Sequence, residues 1–377
     1  MQEVAPDTQG RPPAPPQLPT VRSEELDVLR GVAVLLVFTR HVNGLPFSTV
    51  GWVGVDLFFV LSGFLISGLL FDEYRESGRV RIKTFLLRRA FKIYPQFYVF
   101  LAISLAVLVA MKQSPATVNF FAEAAFFQNY HQGVWTHTWS LAIEEHFYLL
   151  VAASVALFQR LGGNIRHARL SLPGLIVGAA ALILVLRIIT ALTLQPFDFS
   201  THFSASHLRM DSLLAGVWLA HQFRYNRAAL QSVMAQYRYP LSIASIACLA
   251  PTAFLPLDHI FIYTIGLTFV YIGFSILLLL VLFPERPSKQ KPMGFAGLRL
   301  AGIGRNSYGI YLWQGPVILL CEYARAKAES AGFPVSQVSF FLLASIPVLA
   351  VGILMTSLVE RPFLHLRERM VPRRNRG

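Results

Sequence analysis

The segment Ile260–Phe283 reads IFIYTIGLTFVYIGFSILLLLVLF, and its 24 residues include no charged side chain. A helix of this length exceeds the roughly 20 apolar residues that are needed to cross a bilayer. Similar uncharged stretches occupy 93–111, 170–186 and 340–358. With 54% hydrophobic residues, 14% charged residues and a mean hydropathy of +0.52, the chain is not an ordinary soluble domain. These features predict an all-α, polytopic transmembrane helical bundle.

The hydropathy pattern predicts about ten spans, near 26–45, 52–71, 93–111, 138–158, 171–193, 206–223, 240–256, 259–283, 304–322 and 338–358. Basic residues are enriched in cytoplasmic loops. If the N-terminus is cytoplasmic, 27 of the 33 Lys and Arg residues fall on the cytoplasmic side. We therefore expect both termini in the cytoplasm and a multi-pass protein surrounded by membrane lipids.

The two ends of the chain differ from its apolar middle. Residues 1–22 contain six prolines and no apolar core, which predicts a disordered cytoplasmic tail rather than a signal peptide. We expect a membrane domain over 23–363 and a basic cytoplasmic tail over 364–377. The net charge of +13 is explained by orientation in the membrane, so no nucleic-acid partner is predicted. The two cysteines, Cys248 and Cys321, give no metal motif.

Ionisable residues inside the predicted spans are the first candidates for chemistry, because burying them in a membrane is costly. Arg30 is followed after ten residues by His41 in the first span, and the two lie roughly 16 Å apart along a helix axis. Asp56 lies near the outer end of the second predicted span, and Glu144 lies near the outer end of the fourth. We therefore predict His41 as a catalytic base, with Glu144 or Asp56 as the carboxylate that orients it.

Less specific interpretations apply to several of these residues. Asp56 would also complement a helix dipole at the start of its span. Glu144 and Glu145 point about 100° apart, so one of them would face headgroups or water. His41 would otherwise be a packing residue. The histidines at 131, 137, 202, 207 and 259 lie in or near outer loops, and most are expected to be solvated.

A basic cluster marks the cytoplasmic start of the third span. Arg88, Arg89 and Lys92 have helical spacing, and together with Arg30 they can form an anion site. Topology alone also enriches basic residues here. An acyl-CoA fits both ends of the site, because its phosphates would bind these cations while its slender arm reaches His41. Acyl-CoA, as the donor substrate, is the one cofactor expected, and no metal is.

Seven blocks of this sequence, in order, resemble the acyltransferase-3 family of membrane O-acyltransferases. They are 26–41 with its Arg30–His41 spacing, 54–64, 88–95, 139–148 with Trp-Ser-Leu-x-x-Glu-x-x-Phe-Tyr, 209–216, 304–313 and 359–363. The resemblance implies transfer of an acyl group, most often acetyl, from cytoplasmic acyl-CoA to a hydroxyl acceptor. That acceptor would be a glycan, a lipid-linked sugar, peptidoglycan or a macrolide-like molecule, and the location a bacterial plasma membrane.

The resemblance also implies that Arg30 and His41 are essential and that the basic start of the third span serves the donor. We expect a further set of polar and aromatic residues to face the acceptor: Trp139, Glu145, Tyr148, Arg209, Asp211 and Gln314. Three positions depart from the family pattern. Lys92 replaces an Arg, His146 stands where Gln is common, and Gln314 stands where many members have His.

Two other functions stay open on the sequence. A proton-coupled transporter would use the same intramembrane His, Asp and Glu residues, although no inverted repeat is visible and transport needs no phosphate-matched cluster. The third possibility is a family member that serves only as a partner for glycan machinery. Direct transfer, an acyl-His41 intermediate, the acyl length and the oligomeric state are likewise left open.

Overall fold

A computed structural model describes residues 24–42, 48–112, 117–162, 165–285 and 293–371. Within these ranges the chain forms helices joined by turns, with no β-strand. The α-helices are α1 Glu24–Arg40, α2 Val53–Ser77, α3 Ile82–Ala110, α4 Thr117–Ala124, α5 Trp139–Arg160, α6 Ile165–Thr193, α7 Met210–Tyr225, α8 Arg227–Leu249, α9 Pro251–Phe254, α10 Leu267–Leu282, α11 Phe295–Arg305, α12 Ser307–Ser330, α13 Gln337–Met355 and α14 Arg361–Met370. Short 3₁₀ helices cover Thr136–Thr138 and Ser206–Leu208, and π-helical turns cover Ser200–Ser204, Ile262–Gly266 and Thr356–Glu360.

Each of the ten predicted spans overlaps a helix of the described residues, which confirms the all-α, membrane-type architecture. Six helical segments in the described ranges are long and apolar enough to cross a membrane: Val53–Ser77, Ile82–Ala110, Thr136–Arg160, Ser171–Thr193, Ile262–Leu282 and Gln337–Met370. The count of ten and the cytoplasmic position of both ends stay predictions. The proposed tail 1–22 and residues 372–377 lie outside the described residues.

Helix α2 lies at the centre of the bundle and packs against α7, α1 and α10. Its apolar side chains form much of the core, and Gly78 ends it in the left-handed conformation (φ 70°), with its N–H donated to the Tyr74 carbonyl. Close approach of α1 and α11 depends on two glycines. A Cβ on Gly304 would lie 1.7 Å from the Asp27 carbonyl oxygen, and one on Gly31 would lie 2.3 Å from that of Leu300. This contact brings Arg30 and Arg305 to the same end of the bundle.

Two predicted boundaries are corrected, and a helix extends into the predicted basic tail. The first helix ends at Arg40, so His41 lies in the turn that follows it, where its N–H donates to the Phe38 carbonyl at 3.1 Å. Asn43, Gly44 and Pro46 come next, residue types that do not continue a helix. The sixth span begins as a 3₁₀ turn and becomes α-helical only at Met210. The predicted C-terminal tail is helical as far as Met370.

Candidate active site

A cavity of about 120 Å³ lies between α1, α2, α3, α5, α11 and α12. Part of its polar lining comes from one face of α5. There Ser140, Glu144 and Tyr148 follow one another at intervals of four residues. Its lining is completed by Arg30, Val55, Phe58, Phe59, Ser62, Leu65, Ile66, Arg89, Lys92, Ile93, Leu141, Gly304, Arg305, Ser307, Tyr308 and Tyr311. The cavity therefore combines one carboxylate and four basic residues with an apolar wall.

The Glu144 carboxylate is held by two hydroxyl groups in this cavity. Ser62 Oγ donates to Oε1 and Tyr148 Oη donates to Oε2, each at 2.8 Å. Arg30 and Arg89 are near enough to attract the carboxylate electrostatically. One oxygen per hydroxyl fixes the orientation of the group.

The four basic residues of the predicted donor site do not share one environment. Arg30 and Arg89 line the cavity, whereas Arg88 does not, because adjacent residues of α3 point about 100° apart. Lys92 lines it and also forms an ion pair with Glu360, which is buried at the end of the π-helical turn. Glu360 thus neutralises part of the positive charge that the sequence predicts for binding the acyl-CoA phosphates.

A polar path leads from the cavity to His41. Tyr311 lines the cavity; its hydroxyl accepts from Ser140 Oγ at 2.6 Å and donates to the backbone carbonyl of His137. The His137 ring lies edge to face with the His41 ring, with centroids 6.0 Å apart. His41 itself does not line the cavity. The predicted base and the predicted donor cations are therefore connected through residues that sequence reasoning did not single out.

Asp56 has a different partner from the expected one. It is fully buried and accepts from Arg209 Nη2 at 2.9 Å and from Ser212 Oγ at 2.9 Å, not from His41. The Arg209 guanidinium is enclosed by the rings of Phe203 at 4.5 Å, Trp139 at 5.7 Å and Phe59 at 5.9 Å. Because a charge inside an apolar bundle must be paired, this group forms a structural clamp between α2 and α7.

The other acceptor-side candidates are also buried. Asp211 pairs with Arg187 of α6 at 2.6 Å. Glu145 is buried and accepts from the Tyr94 hydroxyl, whereas the adjacent Glu144 is partly exposed and lines the cavity. Gln314 is fully buried in α12, and its amide makes no hydrogen bond within the described chain. Of the acceptor-side residues, Tyr148 is the one that lines the cavity.

Several site residues were missed although most lie in the sequence blocks already quoted. Ser62, Arg305, Tyr308, Tyr311 and Glu360 belong to such blocks, and the i, i+3 spacing of Tyr308 and Tyr311 marks a shared face. Most of the outer-loop histidines are exposed as expected, namely His131, His207 and His259, whereas His137 and His202 are buried, at 5% and 2% exposed. Their burial depends on partners from distant helices, which a local pattern does not contain.

Comparison with known proteins places this arrangement in a family. The acyltransferase domain of the acyltransferase-3 family matches residues 23–357, which include the cavity and the whole path to His41. The chain belongs to the acyltransferase-3 family. This confirms the resemblance drawn from the seven blocks.

Curated relatives carry peptidoglycan O-acetyltransferase names. The peptidoglycan O-acetyltransferase OatA of Listeria monocytogenes is 30% identical over 316 residues, 78% of this chain and 49% of the relative. The putative peptidoglycan O-acetyltransferase YrhL of Bacillus subtilis is 28% identical over 78% of this chain and 48% of its own length. The O-acetyltransferase OatA of Staphylococcus aureus is 28% identical over 78% and 50%. The chain thus spans about half the length of these relatives, and no solved structure matches it significantly.

Proposed function

We propose that this protein is a membrane O-acyltransferase that moves an acyl group, most simply acetyl, from acyl-CoA to a hydroxyl of a cell-envelope glycan. The observation that carries the proposal is the polar path from the cationic cavity through Ser140, Tyr311 and His137 to His41. A bacterial plasma membrane is the location that fits such an acceptor. The acceptor class follows the names of the peptidoglycan O-acetyltransferase relatives.

The basic end of the cavity supports the donor half of the proposal. Arg30, Arg89 and Arg305 present planar guanidinium groups, which bind phosphate oxygens in a bidentate manner. The donor phosphates would bind these guanidinium groups. The pantetheine arm would then pass between Glu144 and Tyr311 and carry the thioester toward His41.

The chemistry assigned to His41 is general base catalysis. Its imidazole takes the proton of the acceptor hydroxyl while the oxygen attacks the thioester carbon. The carbon–sulfur bond then breaks, and the thiolate receives a proton to give free CoA. Alternatively, a His41 nitrogen attacks first, CoA leaves as the thiol, and the hydroxyl oxygen then takes the acyl group from the ring. Glu144, held by Ser62 and Tyr148, would accept hydrogen bonds from the amide N–H groups of the pantetheine arm.

The direct test is CoA release from acetyl-CoA by purified protein in detergent, with and without a muropeptide or glycan-strand acceptor. We expect wild type to release CoA and transfer acetyl, and His41→Ala and Arg30→Ala to lose both. Arg89→Ala should raise the KM for acetyl-CoA, whereas Arg81→Gln, an exposed residue of the same cytoplasmic segment, should not.

Two outcomes would contradict the proposal. Full acetyl transfer by His41→Ala would show that His41 is not the catalytic base. Failure of the wild type to bind CoA, combined with acceptor movement that depends on a proton gradient, would identify a transporter instead.

A further inference from the structure

Within the described residues, no carboxylate is bonded to His41 in the way that usually orients a catalytic imidazole. The two carboxylates expected to serve it, Glu144 and Asp56, hold hydroxyl and guanidinium groups elsewhere. Within the described chain, the ring packed against His41 is that of His137, at 82° and 6.0 Å between centroids. The candidate for the group that orients His41 is therefore a second histidine.

Hydrogen bonding determines the tautomer of His137. Its Nε2 lies 3.1 Å from the Leu312 carbonyl oxygen, which can only accept, so Nε2 carries the proton. In a neutral imidazole the other nitrogen, Nδ1, is then an acceptor. This Nδ1 makes no hydrogen bond with the described part of the chain. The ring packed against His41 therefore carries one nitrogen that can accept a hydrogen bond.

The backbone around His137 is rigidly anchored by Glu123. This buried carboxylate accepts from the Val134 and Trp135 amides at 2.6 and 2.9 Å and from Thr138 Oγ1 at 2.7 Å. Burial raises the pKa of the Glu123 carboxyl, and the three donated hydrogen bonds oppose that rise. The segment that carries His137 is thus tied down on both sides of the residue.

A glycine on the opposite helix makes room for the ring. A Cβ on Gly315 would lie 2.5 Å from His137 Cε1 and 2.9 Å from Nδ1. Any larger residue at 315 would displace the imidazole, because α12 contacts it along its backbone. The position of His137 is therefore set by close packing as well as by hydrogen bonds.

We propose that His137 is a positioning residue for His41 in the acyl transfer proposed above. Movement of the His41 side chain toward His137 brings one of its N–H groups to Nδ1, since catalytic hydrogen bonds often tighten only when substrate binds. The nitrogen facing the substrate then has its lone pair available. When His41 takes the hydroxyl proton, the N–H···N bond to His137 stabilises the resulting imidazolium, and that proton passes on to the thiolate.

Two substitutions at His137 separate positioning from mere packing. His137→Gln keeps a donor that reaches the Leu312 carbonyl and loses the acceptor at Nδ1, whereas His137→Asn does the reverse. We expect kcat to fall about 100-fold or more in His137→Gln, within the range of acid–base contributions. The KM for acetyl-CoA should stay within about twofold, and His137→Asn should recover part of kcat. If His137 had only a structural role, His137→Gln would keep more activity than His137→Asn, because it keeps the hydrogen bond to the Leu312 carbonyl.

Gly315→Ala provides a second measurement without changing the histidine. It should lower kcat by displacing the ring, whereas Gly178→Ala, where a Cβ would meet nothing within 4 Å, should behave as wild type. Wild-type kcat in His137→Gln, or equal losses in His137→Gln and His137→Asn, would overturn the inference.

His41→Ala is measured alongside these variants. If it retains transfer, the proposed function of His41 fails as well. If it is inactive while His137→Gln is active, only the inference about His137 fails.

Discussion

The buried ion pair between Asp56 and Arg209 offers a quantitative test of the structure. Both side chains are 0% exposed, and Arg209 is enclosed by aromatic rings. Asp56→Ala would leave the guanidinium charge inside the bundle without its carboxylate. Removing one member of a buried pair typically costs about 3–5 kcal/mol. Asp211 is close enough to attract Arg209, so we expect the lower half of that range.

The double variant should recover most of this loss. Replacing both charges, as in Asp56→Ala with Arg209→Met, leaves no unpaired ion, and apolar replacements of buried pairs are often neutral or better. We therefore expect a coupling energy of about 2 kcal/mol or more in the double-mutant cycle. The exposed pair Arg81–Glu73, with a 2.9 Å contact and side chains 48% and 21% exposed, should give at most about 1 kcal/mol.

The assay is reversible unfolding in mixed micelles at increasing SDS fraction, followed by circular dichroism, with acetyl transfer measured per folded molecule. Additive losses in the single variants would refute the pairing. The folded double variant should keep its acetyl transfer, because neither residue lines the cavity or contacts His41. A stable but inactive double variant would restore Asp56 to the catalytic role that the sequence suggested.

Two further predictions concern the cavity. Ser62→Ala and Tyr148→Phe each remove one hydrogen bond from a hydroxyl group to the Glu144 carboxylate. Such bonds to a charged group contribute about 1.5–3 kcal/mol, so kcat/KM should fall roughly 10- to 100-fold. Steady-state kinetics that show no change in either variant would contradict this prediction. Gly304→Ala should prevent normal folding, because its Cβ would lie 1.7 Å from a carbonyl oxygen of α1, whereas at Gly302 the nearest atom is 3.9 Å away. Melting curves and detergent elution profiles of the two alanine variants test this, and equal stability would count against the α1–α11 contact.

Much of the fold was predictable because the signals are local. Ile260–Phe283 identifies a membrane-type helix by composition alone, and helical spacing placed Arg89 and Lys92 on one face of α3. The Trp139–Tyr148 block also predicted Glu144 and Tyr148, which do line one cavity. The end of α1 was less predictable, since hydropathy continues past the residue at which the helix stops.

The partners of the charged groups were decided only by tertiary structure. Asp56 lies 153 residues from Arg209 and Lys92 lies 268 residues from Glu360, and each pair meets because two helices pack side by side. Hydropathy and periodicity specify which face of a helix is apolar, but they contain no information about which distant helix covers it. By itself the sequence determined a helical membrane protein with the acyltransferase-3 pattern, including the Arg30–His41 spacing. The contact between His41 and His137 required the fold, because it depends on where α12 and the Glu123-anchored loop come together.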